Sequence, residues 1–390
     1  MHPNISSLIP QNFPLQKKFH SPEFLRTVPH IRLRTPLHSV LTRMRSEADH
    51  YVSTFFRDQD FVRVQPPIIT SSDCEGAGEV FGVTARDSSV REGESESPSD
   101  VPEFFKSVKY LTVSSQLHLE AYVHEHPKVW SLSPTFRAEK SDTPRHLSEF
   151  WMLEAEVRTQ NLGEVMSLVE RLIHCLIKGL ESSRLPVELA TAKAKTTQSD
   201  LESVLETINN RWSCITSTSW PRITYEQAVQ GLRTAVGQGR ATFTVLPLAE
   251  EGLRLEHEQW IANEVGQGLP VFVTNYPSAV KPFYMSSIDG GHGISPDKQQ
   301  AACFDLLLPE TCEIAGGSLR EHRLEVIKRK MQAKGSNSDN LNWYLDLRRY
   351  GSVPHGGFGL GLDRLLAYLA GLDNIKDVVA WPRHFGHCYG

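Results

Sequence analysis

The residues of this chain best placed to do chemistry stand in Phe136-Arg137-Ala138-Glu139 and, one short loop later, in Arg145-His146-Leu147-Ser148-Glu149-Phe150. From Glu149 to Val157 the sequence alternates. That predicts a strand with Trp151, Leu153, Ala155 and Val157 on its core side and Phe150, Met152, Glu154 and Glu156 on the other. Carboxylates that share a face with an aromatic ring are costly to cover unless a cation meets them, so this face reads as the wall of a cleft for a charged ligand. Arg137 is of the type that grips a phosphate through two parallel hydrogen bonds. Taken alone, the same residues also describe a surface hairpin with ordinary ion pairs.

A second stretch shifts the balance. Gly356-Gly357-Phe358-Gly359-Leu360-Gly361-Leu362-Asp363-Arg364 alternates glycine with apolar residues and runs into the helical pattern Leu365-Leu366-Ala367-Tyr368-Leu369. Glycine weakens a strand and marks close backbone approach, so this reads as a strand laid against a ligand and then a helix, with Arg364 at the joint. A cleft bounded by Arg137 and Arg364 reads as an ATP site.

The pair Phe-Arg-x-Glu and Gly-x-Gly-x-Gly-x-Asp-Arg resembles motifs 2 and 3 of the class II aminoacyl-tRNA synthetases. The form Arg-His-Leu-Ser-Glu-Phe-Trp-Met-Leu-Glu narrows the resemblance to the subgroup that activates aspartate, asparagine and lysine. Phe24-Leu25-Arg26-Thr27, Cys74-Glu75-Gly76-Ala77-Gly78-Glu79-Val80-Phe81, Pro282-Phe283-Tyr284-Met285 and Trp343 to Gly351 are similar to the asparaginyl enzymes, and the likeness covers nearly the whole chain. It implies an α+β catalytic fold, a mixed antiparallel sheet of six to seven strands flanked by helices. It also implies an activity: asparagine is activated with ATP to the adenylate and passed to tRNA(Asn). In that frame Arg137 and Arg364 are catalytic, and Arg137, Glu139, Arg145, His146, Leu147, Phe150, Glu313, Gly361 and Arg364 meet ATP. Glu75, Gln116, Glu120, Arg137, Glu154 and Arg320 meet the amino acid, while Asp305 and Glu313 hold Mg²⁺, which takes one or two carboxylates beside substrate phosphates.

The stretch Ser114-Ser115-Gln116-Leu117-His118-Leu119-Glu120 bears on the choice of substrate. Aspartyl enzymes place a lysine three positions after the matching glutamine, whereas Leu119 stands there in this chain. A side-chain amide offers an N–H to an acid and a C=O to a cation, so Glu120 with Arg320 suits asparagine. Two other readings stay open at this point: an enzyme that amidates activated aspartate, as in relatives without an anticodon domain, and a non-catalytic regulatory paralogue.

The elements around these residues follow from periodicity. Leu37 to Phe56 carries apolar residues at helical spacing, and Asp60 to Ile69 switches to a strand ending at prolines. Together they resemble motif 1, which implies a homodimer through residues 37–69. Cys74 to Phe81 has the composition of a closing loop with Glu75 over the substrate ammonium. Residues 84–103 are rich in Ser, Glu, Asp and Pro without periodicity and read as a disordered insertion. Asn161 caps a helix with a clean apolar stripe from Val165 to Leu180. A helix near Leu201 to Arg211, a buried strand from Pro270 to Pro277 and apolar strands from Phe304 to Arg320 complete the legible part. Residues 186–245 otherwise carry no chemistry, and a histidine at 292 reads as surface.

Composition bounds the rest. With 390 residues and 39% hydrophobic content there is ample chain for a large core. Cys74, Cys175, Cys214, Cys303, Cys312 and Cys388 show no Cys-x-x-Cys spacing, so neither a disulfide framework nor a zinc site is suggested. No apolar run is long enough to span a bilayer. A net charge of −5 argues against a generic polyanion binder, but residues 1–45 hold seven Lys or Arg against one Glu. That end, with Lys17, Lys18, Arg26, Arg32 and Arg34, is expected to meet RNA. In the frame of the resemblance, residues 1–36 match a hinge that follows an OB-fold anticodon-binding domain, residues 37–390 the catalytic domain, and the expectation is that no anticodon domain precedes Met1. The ending Trp381 to Cys388 resembles the organellar branch, which places the chain in mitochondria.

Overall fold

The structure is a computed structural model. It describes residues 13–16, 18–71, 79–85, 104–217, 219–248, 251–288, 298–335 and 339–389. Two short helices, α1 (Pro22–Thr27) and α2 (Pro29–Arg32), lead into α3 (Pro36–Asp58), which opens with Pro36 at its first turn and the Thr35 hydroxyl accepting from His38 N. The strand expected from Asp60 to Ile69 is much shorter. Val62–Arg63 (β1) joins the main sheet and Ile69–Thr70 (β2) joins a separate one. Asp60 adopts a left-handed conformation at φ 61°, and Pro66 and Pro67 have no N–H to offer a ladder.

Gly82–Val83 (β3) and Lys109–Leu111 (β4) complete the small sheet in the order β2-β4-β3. Helix α4 (Gln116–Val123) precedes the hairpin of β5 (Lys128–Phe136) and β6 (Glu149–Val157). Asn161 Oδ1 then accepts from Gly163 N at 2.8 Å to cap α5 (Leu162–Glu181). The side chains of Val165, Leu168, Val169, Leu172, Ile173, Leu176, Ile177 and Leu180 are all buried, each contributing about 1.5–3 kcal/mol. Helices α6 (Leu185–Thr197) and α7 (Leu201–Ser217) follow; the first lies where no helix was expected, and the second runs beyond its expected end at Arg211.

The remaining elements are β7 (Arg222–Thr224), α8 (Tyr225–Gly237), α9 (Leu255–Glu264), β8 (Val271–Thr274), β9 (Cys303–Leu308), β10 (Cys312–Leu319), α10 (Leu324–Ala333), α11 (Asn342–Arg349), β11 (Gly356–Gly361) and α12 (Leu362–Leu369). Among the described residues the main sheet has eight strands, one more than the upper expectation, in the order β1-β5-β6-β11-β10-β9-β8-β7. The additions are short edge pieces, since β1 and β7 pair in parallel with β5 and β8 while every interior pairing is antiparallel. The architecture is the α+β class expected.

One face of the sheet is core: Leu153, Ala155, Phe272, Phe304, Leu306, Phe358 and Leu360 pack with residues of α3, α5, α6, α7 and α12. Trp151 departs from the alternation read for β6, being 41% exposed. Its backbone sits opposite Pro134 near the loop end of the hairpin. Among the described residues no helix is long and apolar enough to cross a membrane. At the start of the chain Arg32 is fully buried, donating to the carbonyls of Lys376, Val379 and Ala380, and Arg26 grips Asp377 through two bonds of 2.6 and 2.8 Å. Two of the five cations expected to face RNA are therefore committed inside the fold; Lys18 and Arg34 are exposed, and Lys17 lies outside the described residues.

The close packing of β11 makes a direct prediction. A Cβ added at Gly357 would lie 2.2 Å from Glu156 Oε1 and 2.3 Å from the Ala155 carbonyl oxygen, a backbone atom that cannot swing aside. Gly357→Ala should lower stability in urea by at least ~2 kcal/mol. The control is Gly237→Ala, where nothing lies within 4 Å; it should stay level or gain up to ~1 kcal/mol.

Candidate active site

The site is built on the other face of the same strands. Residues directly opposite in a ladder project to the same side. The register sets Glu154 opposite Gly359, Gly359 opposite Gly316, and Gly316 opposite Asp305. Two carboxylates thus stand three strand spacings apart, about 14 Å, across a floor of two glycines. In the next row Glu156, Gly357, Ser318 and Cys303 align in the same way. Above this floor lies a cavity of about 530 Å³, lined by side chains from β6, β9 and β10, the β5–β6 loop and the start of α12.

One end of the cavity is cationic. Arg137, Arg145 and Arg364 all line it, together with Phe150. The Arg137 guanidinium lies 5.7 Å from the Phe150 ring centroid and 3.9 Å from Glu139 Oε1. Glu139 is also 3.4 Å from His146 Nε2. Arg364 donates to the carbonyl oxygens of Glu313 and Arg145, which anchors it at the strand-to-helix joint. Its neighbour Asp363 is buried and takes Arg45 of α3 on one oxygen and Trp151 N at 2.7 Å on the other, tying three separated stretches together. Glu139, Arg145, His146, Leu147, Phe150, Glu313, Gly361 and Arg364 thus all line this one cavity.

The opposite end is acidic and amphoteric. Glu154 is buried and accepts from Ser115 N at 2.8 Å and from the Ser114 hydroxyl, at the start of α4. Burial pushes its carboxyl up despite these donors. Arg320 donates from Nε at 3.0 Å and Nη2 at 2.6 Å to Glu156, and from Nη1 at 2.8 Å to Ser318 Oγ. Burial works against its charge, but Glu156 and Glu120 more than offset that, so the guanidinium is held above its ordinary value.

Gln116 lines the cavity, but Glu120 and Leu119 do not. This corrects the expected position of Glu120. It points from α4 away from the cavity into a buried cluster, accepting from Arg348 Nη2, from Tyr344 Oη at 2.8 Å and from His355 Nε2 at 3.1 Å. Burial opposes its charge, yet Arg348 and His355 prevail and hold the carboxyl below the usual range. Helical geometry explains the outcome: residues four apart share a face, so Glu120 meets Gln116 Nε2 at 3.0 Å and stands behind it. Leu119 is fully buried with Val123 and Val129, and a lysine there would meet apolar core. Glu75 lies outside the described residues, as do residues 86–103 of the proposed insertion and His292.

Asp305 and Glu313 converge beside Gly316, where an added Cβ would be 3.5 Å from Asp305 Oδ1 and 3.4 Å from Glu313 Oε1. A register shift between Glu313 and Ala315 accompanies this convergence. Two hard oxygen donors opening on the cationic chamber fit a Mg²⁺ site. The local charge agrees: burial, with Glu313 and Asp305 beside it, pushes the Glu258 carboxyl of α9 up to about 8. Glu258, Lys281, Tyr284 and Ser114 were not among the residues read as functional. Lys281 and Glu258 lie in segments without strand or motif character. Glu156 had a legible signal, since alternation put it on the cavity face.

Comparison with known proteins adds an independent line. A family model for class II tRNA synthetases (D, K and N) matches residues 21–384. The chain is 41% identical over 382 residues to the mitochondrial asparagine–tRNA ligase of Saccharomyces cerevisiae, covering 96% of this chain and 74% of that protein. It is 41% identical over 375 residues to the asparagine–tRNA ligase of Myxococcus xanthus, covering 96% and 76%. The crystal structure of asparaginyl-tRNA synthetase from Pyrococcus horikoshii complexed with asparaginyl-adenylate matches with a TM-score of 0.76 at 31% identity, covering 95% of this chain and 74% of that one.

Two predictions rest on the buried charges. Glu120→Ala should cost about 3–5 kcal/mol in urea unfolding, because it leaves the Arg348 charge without its carboxylate; a loss under ~1 kcal/mol would show the cluster to be dispensable. For Glu258 the folded state keeps a proton that the unfolded chain releases near pH 4.5. Stability should therefore fall as pH rises from there to about 8. Glu258→Gln should flatten that fall and raise the urea midpoint at pH 8.

Proposed function

Because the chain belongs to the class II tRNA synthetases that serve aspartate, lysine and asparagine, we propose that it activates asparagine with ATP and transfers it to tRNA(Asn). The observation that carries this reading is the 41% identity, over 96% of the chain, to an enzyme with that specificity. The cavity supports it, with a cationic chamber for a polyanion at one end and carboxylates for an ammonium at the other.

In the mechanism we infer, the asparagine carboxylate attacks the α-phosphorus of ATP, the bond to the β-phosphate oxygen breaks, and pyrophosphate leaves. A hydroxyl of the terminal tRNA ribose then attacks the adenylate carbonyl, losing its proton, and AMP departs. Neither step needs a covalent bond to the protein. The residues act by placement and charge. Arg137 holds the α-phosphate and the substrate carboxylate together. Phe150 and Arg364 enclose the adenine, with Arg364 also reaching the γ-phosphate. Glu139, Arg145, His146, Leu147 and Gly361 complete the nucleotide contacts. Glu154 and Gln116 receive the ammonium; Gln116 gives its N–H to Glu120 and so presents its carbonyl oxygen. Arg320 meets the amide oxygen, and with Glu156 balancing its charge the pocket suits a neutral side chain better than a second carboxylate. Asp305 and Glu313 would hold Mg²⁺, which when bound neutralises charge on the phosphates.

The same reading extends to assembly and place. A homodimer through α3 and β1 is supported by the edge position of β1 and the exposure of Val62, Ile68 and Ile69. Mitochondrial residence is supported by the Saccharomyces cerevisiae relative. A role for Lys18 and Arg34 in meeting tRNA is supported by their exposure.

Pyrophosphate exchange with the purified chain tests the proposal. Exchange should depend on asparagine, and exchange with aspartate alone would overturn it. Arg137→Ala should lower the rate by at least ~100-fold with an unchanged urea midpoint; a full rate would remove Arg137 from the chemistry.

A further inference from the structure

Lys281 places its ammonium on a carboxylate assigned above to the metal. Its Nζ donates to both oxygens of Asp305, at 2.6 and 2.9 Å, and lies 3.8 Å from the centroid of the Tyr276 ring. Both partners are largely shielded, each side chain being 15% exposed. Asp305 is fixed, because β9 is paired on one side with β8 at Val273 and on the other with β10 at Gly316. Lys281 is not. It follows the 3₁₀ turn Ser278–Val280, outside any strand, on four rotatable side-chain bonds.

We propose that Lys281 is an exchangeable counter-cation, seated on Asp305 until a divalent cation displaces it, so that this lysine sets the threshold for metal entry. The inference rests on the reading of Asp305 and Glu313 as the metal carboxylates. A divalent cation bound directly would approach Asp305 to about 2.1 Å. The ammonium spans both oxygens of that carboxylate, and two cations so close repel one another strongly. One must yield, and only the lysine can move without breaking a sheet. Its retreat keeps it in the cavity, which it lines together with Arg364 and Arg320, where a phosphate is the natural partner for the released charge.

Mn²⁺ is the probe, its free aqua ion followed by electron paramagnetic resonance during titration of the full chain without nucleotide. Lys281→Met should bind Mn²⁺ at least tenfold more tightly than the wild type, and Lys281→Gln should show the same gain should the methionine variant fold poorly. Lys281→Arg, which keeps a cation there, should stay within threefold of the wild type. Equal affinity in the wild type and both uncharged variants would overturn the proposal. Adding Asp305→Asn to Lys281→Met should abolish the gain. If it instead leaves tight binding intact, the fault lies in the metal assignment rather than in the lysine, and the proposal falls with it.

Discussion

The structure depends on how closely backbones approach at β11. This strand lies between β6 and β10, and its glycines let neighbouring side chains lie across it. Glu156 crosses over Gly357 to reach Arg320, occupying the space a Cβ would need. On the core side, Gly317 of β10 leaves room for the Phe304 ring, which an added Cβ would meet at 2.5 Å. The same omission of side chains thus forms the floor of the cavity and admits the aromatic packing beneath it. Elsewhere in a sheet glycine is a weakness; in this strand the lost β propensity is offset by what the neighbours gain.

Charge is the second organising force. Three buried carboxylates, at Glu120, Glu156 and Asp363, each have an arginine from a distant part of the chain: Arg348, Arg320 and Arg45. Burying a charge is tolerable when it is paired and hydrogen-bonded, and each of the three also has a further role. Glu120 orients Gln116, Glu156 fixes Arg320, and Asp363 holds the Trp151 backbone beside Phe150. Cavity-lining groups are thereby positioned by buried carboxylates that are themselves held by arginines from distant parts of the chain.

Legibility in the sequence followed the range of the physics involved. Alternation along β6 was enough to place Phe150, Met152, Glu154 and Glu156 on the cavity face, and the glycine repeat was enough to mark β11. Helical periodicity found α3 and α5 nearly to the residue. What failed needed three dimensions. Glu120 and Leu119 stand close in sequence to Gln116, but their direction is set by the twist of α4, which turns one into a polar cluster and the other into apolar core. Lys281 and Glu258 come from a loop and a helix with no periodic tie to the sheet, so only the fold brings them to Asp305. The basic start of the chain showed charge, while the carbonyls that consume Arg32 lie about 350 residues further on.

The position of β11 also bears on how the molecule is made. Without residues 356–361 the sheet would divide into two fragments, β1-β5-β6 and β10-β9-β8-β7, each ending in an unpaired central edge. Open edges of this kind invite pairing with other chains. Glu154 and Glu156 sit on one fragment, Asp305 and Arg320 on or just beyond the other, so neither holds a working half of the cavity. The last strand of the main sheet is the one that joins them, and a chain cut short before it would carry two sticky borders and no site. Continuity of the sheet and completeness of the cavity therefore depend on the same six residues, of which four are glycine.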